Sequence, residues 1–165
     1  MESSPEQRFR PPQPSPKPTC GRMGCACGLP VSERFVLWAL RQWQQDRALP
    51  EEGSTLHRGF KMAGLLDALP DFAIAMDAFL FGARRAMEIH LPTCSKVSRD
   101  EATLVALCGL AQGDYDGPLL ASLDVMMAPT ASRVAALRLK AFAVALSSAG
   151  LRLSPLPGAA GARLN

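Results

Sequence analysis

Apolar residues recur every three or four positions along the chain after residue 31, which is the spacing of one face of an α-helix. Sustained alternation of apolar and polar residues, the pattern of a strand, is missing from the sequence. Proline, glycine and polar residues divide the helical pattern into six segments, at about 32–49, 55–69, 72–87, 98–113, 118–127 and 131–149. The pattern therefore predicts an all-α, single-domain antiparallel bundle of about six helices.

Short signals mark where several of these helices begin and end. The run "SRDE" is a capping box, in which the Ser98 hydroxyl accepts from the Glu101 amide and the Glu101 carboxylate accepts from the Ser98 amide. Ser32 is placed to cap the first helix, and Pro118 to occupy the first position of the fifth. Gly113 is predicted to end the fourth helix in a left-handed conformation.

The last predicted helix carries apolar residues on two opposite sides. One side contains Ala135, Ala136, Leu139, Phe142, Ala143 and Leu146. The other contains Val134, Leu137, Ala141 and Val144. Covering an apolar face stabilises a protein because it removes apolar surface from water. Two interpretations of the second side are therefore open. Either the helix runs through the middle of the bundle and its own chain covers both sides, or the second side is an interface with another protein chain.

The junction of the fourth and fifth helices has the sequence "GLAQGDYDGPLLASL", residues 109–123. It resembles the turn of a tetratricopeptide repeat, where Gly-Asp-Tyr commonly links two antiparallel helices. The resemblance implies a helix–turn–helix at this place. A second copy at that family's period of about 34 residues is missing from the sequence, so a peptide-binding solenoid is not implied.

Composition narrows the classes of partner. The chain has 165 residues, of which 48% are hydrophobic and 20% charged. It therefore has enough apolar residues to form a core, and some apolar surface is expected to remain exposed for a protein partner. The net charge of +3 comes from scattered basic residues, which excludes a dedicated nucleic-acid binder. The most apolar window, residues 72–87, is interrupted by Asp77, Arg84 and Arg85, so no membrane span is expected.

Both ends of the chain differ in composition from the helical part. Six prolines lie between Pro5 and Pro18, so residues 1–30 are predicted to be a disordered proline- and cysteine-containing tail, followed by a helical domain at 31–153 and a flexible tail at 154–165. The amino terminus lacks the basic and then apolar plan of a secretory signal. We therefore expect a cytoplasmic protein whose five cysteines are free thiols.

Candidate chemistry is confined to cysteine and histidine. The sequence has no phosphate-binding glycine loop, nucleophile elbow or His-Glu-x-x-His helix, so an enzyme is less expected than a non-enzyme. Cys25, Cys27, His90 and Cys94 would supply three thiolates and an imidazole to zinc if the amino-terminal segment folds back over the "HLPTC" loop. The alternative is a histidine at a helix carboxyl end, followed by an ordinary loop cysteine. Cys108 is predicted to be a core residue.

Two functions from different classes are consistent with these patterns. The favoured one is protein–protein interaction, as a homodimer or a regulatory adaptor, through Val134, Leu137, Ala141 and Val144. The alternative is a metal-binding or thiol-redox protein that uses Cys25, Cys27, His90 and Cys94. No cofactor is expected under the first function, and zinc is the cofactor implied by the second.

Overall fold

The structure is a computed structural model that describes residues 26–46 and 53–154. These residues form six α-helices, which confirms the predicted all-helical fold. The helices are α1 Val31–Asp46, α2 Thr55–Met62, α3 Leu69–Gly82, α4 Arg99–Gln112, α5 Asp116–Met126 and α6 Pro129–Ser148. Two short 3-10 helices, Ala26–Gly28 and Leu66–Ala68, precede α1 and α3.

Helices α3 and α6 form the central pair of the bundle. Gly82, at the end of α3, lies so close to the start of α6 that a Cβ atom on Gly82 would be 2.2 Å from the Cβ atom of Ala131. At the other end of α3, Asp71 accepts a hydrogen bond of 2.8 Å from the Arg138 guanidinium. The two helices are therefore antiparallel and in direct contact.

The other long helices pack around this pair. Asp116, the first residue of α5, binds Lys140 at 2.7 Å, and Asp124 near the end of α5 accepts a hydrogen bond from Ser132 at the start of α6. Helix α5 is therefore also antiparallel to α6. Arg41, near the end of α1, binds Glu101 in the first turn of α4, which fixes α1 beside α4.

The core is centred on a group of phenylalanines from four helices. The rings of Phe60 in α2, Phe72 in α3 and Phe142 in α6 are all fully buried, with centroids 5.2–6.0 Å apart. Phe35 of α1 adds a fourth ring, 5.4 Å from Phe60. Such aromatic pairs stabilise beyond the area they bury, so this cluster joins α1, α2, α3 and α6.

Two predicted helix ends are wrong, one for a local reason and one because of a tertiary contact. Helix α2 stops at Met62 and not near residue 69, because Gly64 adopts a left-handed conformation with φ of 69°. Helix α3 stops at Gly82 and not at Met87. Beyond Gly82 the chain turns extended, and Ala83 makes an antiparallel bridge with Met127. The apolar spacing that predicted the helix continued past its true end.

Two predicted capping roles are also wrong, whereas the capping box is confirmed. Ser32 lies within α1 and is buried, and its hydroxyl donates to the Arg152 carbonyl beyond α6. Gly113 has φ of −87°, and the left-handed residue in this turn is Asp114 with φ of 57°. Aspartate tolerates this region because its short polar side chain bonds locally. The helix–turn–helix itself is present, since α5 begins two residues after Asp114. Pro118 is therefore the third residue of α5 and not the first, as was predicted.

The predicted tails lie mostly outside the described residues, which begin at Ala26 and end at Ser154. Residues 26–30, which the sequence places in the tail, pack against the helical domain. Ala26 and Leu29 are partly buried against the core, and Ala26 donates a backbone hydrogen bond of 2.8 Å to the Ser95 carbonyl. The folded part therefore includes at least these residues.

Candidate functional site

His90 and Cys94 lie in the connection between α3 and α4, residues 83–98, which a buried carboxylate organises. Glu101 is fully buried in the first turn of α4. Its two oxygens accept from the Ser98 amide at 2.8 Å and the Arg41 Nε at 2.7 Å, and the His90 amide adds a third bond of 3.0 Å. One side chain thus caps its own helix and holds the middle of the connection.

Arg41 reaches the same connection from α1. Only 3% of its side chain is exposed, and it binds both Glu101 oxygens. Its Nη1 and Nη2 also donate to the carbonyl oxygens of Cys94 and Lys96, each at 2.5 Å. A planar guanidinium suits this role because its donors point in fixed directions. The capping box predicted the Ser98–Glu101 bonds, but Arg41 was missed. The sequence does contain an indication of its role, because Arg41 is a charged residue four positions after Leu37, on the buried side of α1.

The carboxyl pKa values follow from this hydrogen bonding. Burial alone raises the pKa of Glu101, but the bonds from Arg41, Ser98 and His90 together outweigh it and lower that pKa below its usual value. Asp100 next to it is held by the Arg85 guanidinium, with N–O distances of 2.8 and 2.5 Å, and by the Glu88 amide at 2.8 Å. Those bonds, the one from Arg85 foremost, lower the pKa of Asp100. Both carboxylates are therefore ionised at neutral pH.

The ring of His90 is bound by oxygen atoms. Its Nδ1 lies 3.1 Å from the Lys96 carbonyl oxygen, and its Nε2 lies 3.2 Å from a Glu88 carboxylate oxygen. The interpretation of His90 as a residue at a helix carboxyl end is wrong, because α3 ends eight residues earlier. A metal would have to displace one of these contacts, since it needs a free lone pair on a ring nitrogen.

We expect the pKa of His90 to be higher than the ordinary histidine value of about 6.5. The hydrogen bond to the Lys96 carbonyl raises it most, and the Glu88 and Glu101 carboxylates add to the effect. A raised pKa means that protonated His90 stabilises the fold below about pH 6.5 and that this contribution is lost as the pH rises through the folded value. An NMR titration of the imidazole protons measures this pKa, and Glu88→Gln should lower it. A value below 6.5 in the intact protein would contradict these contacts.

The four predicted metal ligands differ in their location and bonding state. Cys25 lies outside the described residues. Cys27 is disulfide-bonded, which differs from the expectation of free thiols, whereas Cys94 and Cys108 are free. The backbone bond from Ala26 to Ser95 places the residues next to Cys27 and Cys94 in contact, so the amino-terminal segment does approach this loop. Within the described ranges, no three histidine, cysteine or acidic side chains are grouped to hold a metal ion.

Cys108 is a core residue, as predicted. It is 1% exposed on α4, and burial raises the pKa of its thiol to about 12. A thiol with such a pKa is almost entirely protonated at neutral pH and is a poor nucleophile. Cys108 therefore has a packing role.

The second apolar side of α6 is exposed, and we call Val134, Leu137, Ala141 and Val144 its outer face. Exposure is 39% at Val134, 64% at Leu137 and 67% at Val144, and Ala141 is also exposed. The opposite side of α6, which includes Leu139, is buried against the bundle. Among the residues that the structure describes, none covers the outer face, so the interpretation in which the helices of the bundle cover both sides of α6 is wrong.

Ion pairs border the outer face on both sides. Arg138 pairs with Asp71 at 2.8 Å on the α3 side. Lys140 pairs with Asp116 at 2.7 Å on the α5 side. The outer face is thus an apolar strip with an ion pair on each border.

A small apolar cavity was not predicted. It has a volume of about 240 Å³ and lies between α1, α3 and the first part of the 83–98 connection. Its apolar lining includes Leu40, Trp43, Met76, Phe79, Met87 and Ile89. The sequence feature that corresponds to this cavity is the pair Met87 and Ile89. These two apolar residues follow α3 in a segment that is not helical. Arg85 also contacts this cavity, but its guanidinium is already bound to Asp100.

Comparison with protein-family models, with curated proteins and with solved structures finds no match for this chain. Among the described helices, none combines the length and apolar character that crossing a bilayer requires. Any functional conclusion therefore depends on the surfaces and side chains described above.

Proposed function

We propose that this protein acts by protein–protein interaction, as a homodimer or an adaptor, and that the outer face of α6 is the contact surface. The observation that carries the proposal is the exposure of this face in the single chain, with Leu137 at 64% and Val144 at 67%. Isolated apolar residues on a surface are ordinary. Four that are aligned along one helix form a continuous strip, which is typical of a binding site.

The borders of the strip support the same function. Protein interfaces commonly have an apolar centre and a polar rim that stays in contact with water. Here the centre is the outer face, and the rim contains the Arg138–Asp71 and Lys140–Asp116 pairs. Covering the centre removes apolar area from water and is worth about 25 cal/mol per Å² of that area. The rim charges keep their partners when this happens.

The proposal is tested by a photoreactive amino acid placed at position 137 in the full chain, expressed in cells. Position 62 is the matched control, because Met62 is also apolar and is 89% exposed, at the end of α2. We expect a discrete covalent adduct from position 137, none from position 62, and loss of the adduct when Val144→Asp is added. Adducts of equal yield from both positions, or none from position 137, would contradict an interaction through this face.

A metal-binding or thiol-redox function through Cys25, Cys27, His90 and Cys94 is the second candidate. It is favoured by the Ala26–Ser95 hydrogen bond, which holds the amino-terminal segment against the loop that contains Cys94. Zinc binding there requires the Cys27 disulfide to be reduced and one ring nitrogen of His90 to be released. Elemental analysis of the reduced, purified protein tests it. Stoichiometric zinc would support this function, and helical protein without zinc or iron would contradict its metal-binding form.

A further inference from the structure

The outer face of α6 belongs to a longer strip whose spacing fits a second helix. Exposed residues on this side follow one another at intervals of four, three, four, three and four positions. They are Thr130, Val134, Leu137, Ala141, Val144 and Ser148. This is the repeat by which two helices pack along their length, with side chains of one fitting between those of the other. The geometry therefore indicates a helix, and not an extended peptide, as the occupant.

The strip is also nearly the same when it is read from either end. The midpoint of the strip along the sequence is position 139. At equal distances from it lie two small hydroxyl residues, Thr130 and Ser148, and then two valines, Val134 and Val144. The innermost positions are one large residue, Leu137, and one small residue, Ala141. In an antiparallel pair of identical helices, each position meets its counterpart across this centre. Leu137 of one copy would then face Ala141 of the other, and Val134 would face Val144.

From this self-complementarity, and resting on the proposed function, we infer that the occupant of the outer face is a second copy of this chain, with the two α6 helices antiparallel. A two-fold axis through the strip places identical surfaces against each other, as in most homodimers. The large and small residues at the centre then alternate, so each Leu137 fills the space beside an Ala141. A parallel pairing would instead place Leu137 against Leu137 and leave a gap between the two alanines.

The charges at the borders are compatible with this arrangement. An axis through the centre of the strip brings the Arg138–Asp71 pair of one copy beside the same pair of the other. It does the same for Lys140 and Asp116. An unpaired cation at either place would meet its own copy and repel it. Because each cation already binds a carboxylate at 2.7–2.8 Å, each border can form a network of four alternating charges.

The area of the strip indicates a weak dimer. Helix α6 has 20 residues, which gives a length of about 30 Å and, at a helix width of about 10 Å, a contact of roughly 300 Å². Stable complexes commonly bury about 800 Å² on each partner. The dimer is therefore expected to depend on protein concentration.

Sedimentation velocity over a range of concentrations tests this inference on four proteins: wild type, Leu137→Ala, Ala141→Leu and the double variant with the two residues exchanged. We expect a concentration-dependent dimer for the wild type. Leu137→Ala leaves a gap and Ala141→Leu places two leucines together, so each is expected to weaken the dimer about tenfold or more. The exchange restores a large residue opposite a small one, and the double variant should dimerise within about threefold of the wild type.

The thermal stability of the four proteins is the control, and each contrary result in sedimentation has a separate meaning. All four proteins should melt at similar temperatures, since both positions are exposed in the single chain. A wild type that is monomeric at every concentration overturns the second copy as occupant. The proposed function would still stand in that case if position 137 formed an adduct with a different protein in cells, and would fail if it formed none. Stronger association of Ala141→Leu, or a double variant no better than the single ones, overturns the antiparallel register.

Discussion

Replacement of Leu139 by aspartate is expected to abolish the folded state. Leu139 is 1% exposed and lies on the side of α6 that packs into the bundle, near the phenylalanine cluster. The change removes leucine packing worth about 2–5 kcal/mol. It also buries a carboxylate that has no partner among the core side chains, at a further cost of several kcal/mol. The sum approaches the total stability of about 5–15 kcal/mol of a typical domain. Far-ultraviolet circular dichroism should show loss of helix.

Leu137→Asp is the matched control for this change. It places the same residue on the same helix only two positions away, but Leu137 is 64% exposed and the new carboxylate can stay in water. The free energy of unfolding should therefore change by no more than about 0.5 kcal/mol. Unfolding of both variants would show that the outer face is covered within the chain in solution, and the proposed contact surface would have to be abandoned.

Glu101→Gln is expected to destabilise the protein by about 3–5 kcal/mol, because it leaves the buried Arg41 guanidinium without its counter-charge. Arg41 and Glu101 are 3% and 0% exposed, so water cannot replace the lost partner. Urea unfolding at pH 7 measures the loss. Glu88→Gln is the matched control, since Glu88 is 71% exposed and should cost little. A change of less than about 1 kcal/mol at Glu101 would be too small for a buried pair.

The same substitution should alter the acid sensitivity of the fold. The pKa of Glu101 is lower in the folded chain than its ordinary value of about 4.3. Its ionised form therefore stabilises the fold fully above that ordinary value, and this contribution is lost as the pH falls through the lower folded pKa. Glutamine does not titrate in this range. As the pH falls below about 5, the free energy of unfolding of Glu101→Gln should thus decrease less than that of the wild type. Some decrease remains in the variant because the pKa of Asp100 is also lowered in the folded chain.

The features that the sequence predicts correctly are those determined over a few neighbouring residues. The capping box needs only Ser98 and Glu101, which are three positions apart, and the apolar stripes place Leu139 and Cys108 in the core. The end of α3 is different, because the contact of Gly82 with Ala131 sets it from nearly fifty residues away. No local pattern distinguishes that ending from a helix that continues to Met87.

Long-range partners also explain what the sequence leaves open at the candidate sites. Apolar spacing identifies both sides of α6, but whether Leu137 is covered depends on how many helices pack around α6. The pairing of Arg41 with Glu101 joins residues sixty positions apart, and no spacing rule connects them. The engagement of His90 by the Lys96 carbonyl and Glu88 likewise follows from the path of a connection that has no periodic pattern.

Arg41 has one more consequence, for the dynamics of the 83–98 connection. The carbonyl groups of Cys94 and Lys96 bind a side chain of α1 and not a neighbouring strand or helix. The connection can therefore separate from the bundle only when these bonds and those to Glu101 break together. Such coupling makes the end of α1, the connection and the first turn of α4 one cooperative unit of local opening. Their backbone amides should then report the same free energy of opening in hydrogen exchange, although they are far apart along the chain.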